Sequence, residues 1–333
     1  MGSGLSFRFA AAFQKQDQSL LFIHENAELA AYFLNDFERL LGASEVLFFP
    51  ASYRQAYAPE TTNNANILLR AEVLKKLSSS KKPRIIVTYP QAVFEKIISQ
   101  HTLKRITLKL KKDTEVSLSH INERLFEMGF ERADFVSSPG EFAVRGGIID
   151  VFSFAYQYPY RIEFFDETIE RLSSFDVNSQ RSISAFEEIE LLPNTSNYDF
   201  TDKRKTLLSF FSSKSSIVFS DLDKTTYRLE QLYKKAKNVY QELETTSQYA
   251  PEILFVKPEE WITDCQSRSV FVLEKTTQIN IREQILIKQS PQPAFNKKFD
   301  MLVSHLNENK DQGYRNTLFC SNDQQAKRFH DIF

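Results

Sequence analysis

Short apolar runs of strand length alternate with amphipathic stretches of helix length through the first third of the chain. This alternation constrains the fold more than any other feature. Residues 19–24 (SLLFIH), 45–49 (EVLFF) and 84–88 (RIIVT) are rich in β-branched and aromatic side chains, and Pro50 and Pro90 stop the last two. A strand apolar on both faces belongs inside a parallel sheet covered by helices. Between the runs, Leu29, Phe33, Phe37 and Leu40 fall on one helical face with Gly42 as terminator, and residues 67–77 predict a second helix. Strands alternating with helices imply an α/β domain built on a parallel sheet.

The pattern changes near residue 117. Leu118, Ile121, Leu125 and Met128 predict one more helix, ending at Gly129. Six strands are then expected, at 133–136, 142–144, 147–152, 160–165, 168–173 and 189–192, as in a small antiparallel α+β unit. Beyond Pro193 the βα alternation returns, with strands at 217–220 and 269–274 and a long helix at 224–242. A last boundary is expected at 290–293 (SPQP), followed by a helix at 295–307, a strand at 317–320 and a helix starting at 323. The expected organisation is an α/β domain in two chain segments, 1–116 and 194–289, an α+β domain inserted at 117–193, and the start of a further α/β domain at 290–333. The end of the chain reads as a truncation.

Composition narrows the function. Lys and Arg (42) nearly balance Asp and Glu (43), so no global field draws the chain onto nucleic acid. Cys265 and Cys320 are far apart, and the five histidines form no metal-binding pair, so no metal site and no cofactor are expected. No apolar run reaches membrane-spanning length, and the N-terminal apolar stretch is broken by Arg8, so a cytoplasmic location is expected. Lys75, Lys76, Lys81, Lys82 and Arg84 form a basic run that reads as solvated charge. Asp221 and Asp223 follow a strand without a partner acid or histidine, which points to helix capping near Asp223. Trp261 reads as packing.

The opening Met1-Gly2-Ser3-Gly4-Leu5-Ser6-Phe7 looks like the tail of a phosphate-binding loop. A working loop ends in Gly-Lys-Ser/Thr, where backbone N–H groups wrap the phosphates and the lysine offsets their charge. Here Leu5 holds the lysine position and Ser6 the metal-binding hydroxyl position. Two readings of Gly2, Gly4, Leu5 and Ser6 stand, a degenerate phosphate loop and an appended cloning tail. Neither gives an ATPase, so no catalytic residue is assigned.

Period-2 alternation over 160–165 puts Tyr160, Ile162 and Phe164 on one side and Arg161, Glu163 and Phe165 on the other. The first side is a core face. The second mixes opposite charges with a large aromatic, a poor core and a good interface, since Arg and aromatic residues most often anchor protein contacts. Arg145, just before Gly146-Gly147, is placed to swing onto the same surface. The plainer reading is a solvated strand face carrying a local Arg161–Glu163 ion pair, worth little.

The run PGEFAVRGGIIDVF…YPYRIEFFDETIERLSSFDVNSQRS closely resembles the signature of bacterial transcription-repair coupling factors (Mfd) and, more loosely, the excision-repair helicase subunit UvrB. The resemblance to the coupling factors extends to VLFFPASYR, RIIVTYPQAV, QPAFNKKFDMLVSHL and GYRNTLFCSNDQQAKRF, in the same order. It implies a Rossmann-like, UvrB-like domain with a degenerate P-loop, and an inserted domain that binds the repair protein UvrA through Arg145, Arg161 and Phe165, with Glu163 as a fourth contact. It further implies transcription-coupled nucleotide excision repair as the process. The family's ATP-driven translocase motor and its contacts with RNA polymerase and DNA would lie mainly beyond Phe333, and the protein's own C-terminal domains would be a further partner. Two departures separate the chain from UvrB, which keeps a lysine where Leu5 stands and inserts a tyrosine-rich hairpin where only Tyr53 and Tyr57 are found. The alternatives are a UvrB-type nucleotide- and DNA-binding helicase fragment, and an autoinhibitory docking domain.

Overall fold

The structure, a computed structural model, describes residues 3–52, 56–57, 64–195, 204–243, 249–285, 294–295, 298–318, 320 and 322–332. In chain order its strands are β1 (Leu20–Ile23), β2 (Val46–Phe48), β3 (Ile85–Thr88), β4 (Leu108–Lys111), β5 (Glu131–Arg132), β6 (Glu141–Arg145) and β7 (Ile148–Val151). They continue with β8 (Tyr160–Phe165), β9 (Thr168–Phe175), β10 (Ser182–Phe186), β11 (Glu188–Leu191), β12 (Ser216–Phe219) and β13 (Ser269–Val272).

Five strands in the order β13-β12-β1-β3-β2 form an all-parallel sheet. Its central members β1, β3 and β12 are buried at every position, as their unbroken apolar character requires. The sheet draws β1–β3 from one chain segment and β12–β13 from another, which gives the expected α/β, Rossmann-like architecture with an insertion. Helix Ala27–Leu41 is capped by Asn26 and ends at Gly42, whose φ of 92° suits a residue without Cβ. Its buried face is Ala30, Phe33 and Phe37, whereas Leu29 is exposed, so the apolar stripe lies to one side of the face expected from Leu29. The long helix covers Leu222–Glu242, and its N-cap is Asp221, which accepts from the Lys224 amide at 2.9 Å. Capping thus sits two residues before Asp223, whose carboxylate accepts instead from Thr276.

A second, mixed sheet runs β10-β9-β8-β7-β6-β5, antiparallel throughout except for the β5–β6 pair. A separate two-stranded ladder joins β4 to β11. β4 and β10 escape sequence detection because one alternates leucine with lysine and the other is a serine-rich edge strand. The expected strand at 133–136 is not formed. After β5 the chain leaves the sheet so that Val136 can cover the outer face, packed with Ala143, Phe152 and Phe175. A β-bulge between β8 and β9 places Ile169 and Leu172 both in the core and Glu170 and Arg171 both outside.

The core beneath this second sheet is not built from the insertion alone. Ile67 and Ala71, on helix Asn64–Ser79, are buried among Ile121, Leu125, Met128, Phe142, Ile149 and Ile162. Lys75 on the same helix pairs with Glu190 at 3.2 Å and lies over the Tyr156 ring. Lys75 therefore fastens helix to insertion rather than standing as the solvated charge expected of it. Lys76, Lys82 and Arg84 likewise have local partners, in Glu72, Glu45 and the Ser44 carbonyl. Residues 5–284 form one compact unit.

Gly140 closes the turn into β6 with φ +91°, and a Cβ there would stand 2.4 Å from Cζ of Phe154. Gly140→Ala is expected to destabilise the chain by roughly 1–3 kcal/mol, from left-handed strain plus displacement of a buried ring. A urea melt indistinguishable from the parent's would contradict this packing.

Residues 285–333 belong, with residues 1–4, to a separate compact unit. It contains helices Phe299–Asp311 and Asp323–Ile332, with the Phe299 and Phe329 rings 6.4 Å apart. The strand expected at 317–320 is not formed at Thr317 and Leu318, and residue 319 and the 290–293 boundary lie outside the described residues. Trp261 is fully buried, as is Cys265, whose thiol burial pushes up. No helix among the described residues is long and apolar enough to cross a membrane.

Candidate functional site

The outer face of the second sheet is organised by one carboxylate. Asp150, on β7, stands opposite Arg161 of β8 in register, and Arg145 at the end of β6 lies diagonally across from it. Neighbours of this kind on one sheet face are within side-chain reach. Arg161 donates from Nε and Nη2 to the two Asp150 oxygens at 2.7 and 2.9 Å, a bidentate pair. Arg145 reaches the same carboxylate through Nη2. Asp150 is only 1% exposed, and two guanidiniums share its single negative charge, so the cluster keeps a net positive charge. The carboxylate also raises the Arg161 pKa above its usual range, first through this hydrogen bond.

Arg161 is held on further sides. Its guanidinium lies 4.4 Å over the Phe175 ring and donates to the Gln180 carbonyl and side-chain oxygens at 3.4 and 3.2 Å. Its side chain is 18% exposed against 38% for Arg145. The local Arg161–Glu163 ion pair of the plainer reading is not formed. Arg161 pairs across strands with Asp150, and Glu163 faces Arg171, directly opposite on β9, at 3.8 Å. The alternation of β8 holds along its length, with Tyr160 and Ile162 buried and Phe164 packed against the core. On the other side, at the mouth of the β8–β9 hairpin, Phe165 is 74% exposed.

Arg145, Arg161, Glu163 and Phe165 therefore share one sheet face, and the sequence reading overlooked two residues there. One is Asp150, whose signal was an acid on the outward side of an otherwise apolar strand (GGIIDVF). The other is Phe135, 66% exposed, with the Arg145 guanidinium 5.0 Å from its ring centroid.

At the N-terminus, Gly4 opens helix Gly4–Gln14 and Leu5 is buried. Gly2 lies outside the described residues. The Ser6 hydroxyl is fully buried and donates to Oδ2 of Asp36 at 2.7 Å. An acid thus occupies the hydrogen-bonding reach of the one hydroxyl that a phosphate loop would turn towards a metal ion. Tyr57 packs against Tyr240 and Phe255 and donates to the Tyr249 carbonyl at 2.8 Å, as a loop aromatic seated on the second chain segment. Tyr53 lies outside the described residues. Among the described residues no group of His, Cys, Asp and Glu is placed to hold a metal ion.

Residues 108–197 match the family model of the UvrB interaction domain. The chain is 28% identical over 193 residues to the transcription-repair-coupling factor of Bacillus subtilis (strain 168), covering 58% of this chain and 16% of that protein. It is 30% identical over 163 residues to the transcription-repair-coupling factor of Myxococcus xanthus, covering 49% and 14%. Against UvrABC system protein B of Clostridium botulinum (strain Loch Maree / Type A3) it is 28% identical over 206 residues, covering 58% and 31%. The matched stretches thus span less than a third of the length of each of these relatives. The matched model covers β4 to β11 and with them the whole outer face. Together the matches identify an N-terminal region similar to coupling factors and to UvrB.

Proposed function

We propose that this coupling-factor-like and UvrB-like region is a non-catalytic module that recruits UvrA in transcription-coupled nucleotide excision repair. The observation that carries the reading is the outer face itself, where two arginines fixed on a buried aspartate share a sheet face with a phenylalanine that is largely exposed. Holding a guanidinium in place before binding reduces the side-chain entropy lost on docking. An exposed aromatic on the same face supplies the apolar anchor typical of protein interfaces. Arg145 and Arg161 together would give the face its positive charge towards acidic groups of UvrA, Phe165 would enter an apolar recess, and Glu163 would contribute at the rim. No nucleotide or cofactor enters this reading, which Leu5 and the Ser6–Asp36 hydrogen bond support over a UvrB-type helicase fragment. In the longer protein, RNA polymerase, DNA and the motor would be served by other regions, and the protein's own C-terminal domains could meet this same face. The domain organisation that goes with it is a two-segment α/β domain (1–116 and 194–289) around the insertion at 117–193, with a further domain from 290; the β4–β11 ladder favours moving the start of the insertion back to β4.

Binding to purified UvrA, titrated at two salt concentrations, tests the proposal. The parent chain is expected to bind more weakly at high salt, because charge-assisted contacts at a solvated rim are screened. Arg161→Ala/Phe165→Ala, shown by circular dichroism to be folded, is expected to lose about a hundredfold or more in affinity, as removal of paired hot-spot residues does. Absence of binding by the parent chain, or undiminished binding by the folded variant, would count against it.

A further inference from the structure

Resting on that docking reading, we propose that Phe135 is a further contact residue of the face, and that Arg145 rather than Arg161 is the cation presented to the partner. Arg161 has its Nε and Nη2 on Asp150, with Nη2 and Nη1 also reaching the two Gln180 oxygens and the Phe175 ring behind it. A guanidinium so enclosed is a strut, which fixes Asp150 and the sheet face around it. Arg145 meets Asp150 through one nitrogen and is the more exposed of the two. Its outward course is set by the Phe135 ring at 5.0 Å, a cation–π distance.

The placement of Phe135 is itself fixed. Its neighbour Val136 is buried in the small apolar cluster of Ala143, Phe152, Phe175 and Val177, which pins the 133–139 segment over the sheet. With Val136 facing inwards, Phe135 is left outwards at 66% exposure, and no core residue requires an aromatic there. The face therefore presents a guanidinium backed by one exposed aromatic ring, with a second, Phe165, at the end of the neighbouring hairpin. The complementary partner surface is a carboxylate set beside an apolar recess, the arrangement that a positive charge backed by an aromatic ring would select. The 133–139 segment thereby enters the interface, and partner choice depends on the residue at 135 as well as on the arginines.

The test is a UvrA titration with Phe135→Ala, Phe135→Leu, Arg145→Ala and the Phe135→Ala/Arg145→Ala pair, each checked by thermal melting. Phe135→Ala is expected to weaken binding about tenfold or more with an unchanged melting temperature, the size of effect of a hot-spot aromatic. Phe135→Leu should recover part of that loss, since it keeps apolar area and removes only the cation–π contact. The double variant should lose less than the product of the two single losses, because the two side chains act together. If Phe135→Ala binds within twofold of the parent while Phe165→Ala loses binding, the role of Phe135 is overturned and the docking reading survives. If Arg161→Gln, which removes the charge but keeps a donor for Asp150, binds normally while Arg145→Gln does not, the assignment of strut and contact is supported. The reverse pattern overturns it. Failure of the parent chain to bind overturns both readings.

Discussion

Asp150→Ala is expected to cost about 2–4 kcal/mol of stability and to lower affinity for UvrA as far as the loss of both arginines does. Removing one partner of a buried ion pair leaves the other charge uncompensated, which is the costly direction of change. Here Asp150 is almost fully buried and serves two guanidiniums, so its loss strands Arg161 against Phe175 and leaves two like charges on either side of β7 with no carboxylate between them. Partial exposure of Arg145 and Arg161 keeps the figure below that of a fully buried triad. Asp150→Asn preserves shape and one acceptor, and a loss of about 1–2 kcal/mol is expected, nearer that of a single charged hydrogen bond. Urea denaturation gives the stability change, and titration with UvrA the binding change. A stable Asp150→Ala chain with parental affinity would show that the arginines need no organising carboxylate.

Acidification should destabilise the chain through His24. This histidine ends β1, is buried against Phe22 and Phe33, and shares a hydrogen bond with the Ser220 hydroxyl at 2.7 Å. Burial lowers its pKa from 6.5 to about 3. Above pH 6.5 both folded and unfolded chains carry it neutral, and it has no effect on stability. Below that, the unfolded chain takes up the proton and the folded chain refuses it, so stability falls as the pH drops from about 6.5 towards about 3. The slope from this one group approaches about 1.4 kcal/mol per pH unit. His24→Phe, neutral at every pH and shaped to join the same ring stack, should lose that share of the slope. Urea melts of both chains at pH 7, 6 and 5 read it out. Parallel pH profiles would show that His24 is not the group responsible.

Much of this molecule was written in local pattern. The parallel strands were legible because burial on both faces demands unbroken apolar runs, and the two faces of β8 because alternation survives there. The β8–β9 bulge falls on β9, so it left Arg161, Glu163 and Phe165 on the side that alternation gave them. What escaped detection depended on partners distant in sequence. The role of Asp150 depends on the cross-strand register that sets it against Arg161, and Phe135 falls in an expected strand whose segment Val136 draws off the sheet. Ile67 and Ala71 belong to a helix of the first chain segment yet complete the core of the insertion, which no local pattern announces. Lys75, read as a solvated charge, turned out to be the link between the two.

The most direct test of the docking face is oxidative footprinting of aromatic side chains in the free chain and with saturating UvrA. Phe165 and Tyr227, on helix Leu222–Glu242, are both largely exposed in the free chain and should both be oxidised. With UvrA bound, Phe165 should be protected while Tyr227 stays reactive. Protection of Tyr227 with Phe165 still oxidised, or no protection of either at saturation, would contradict the account.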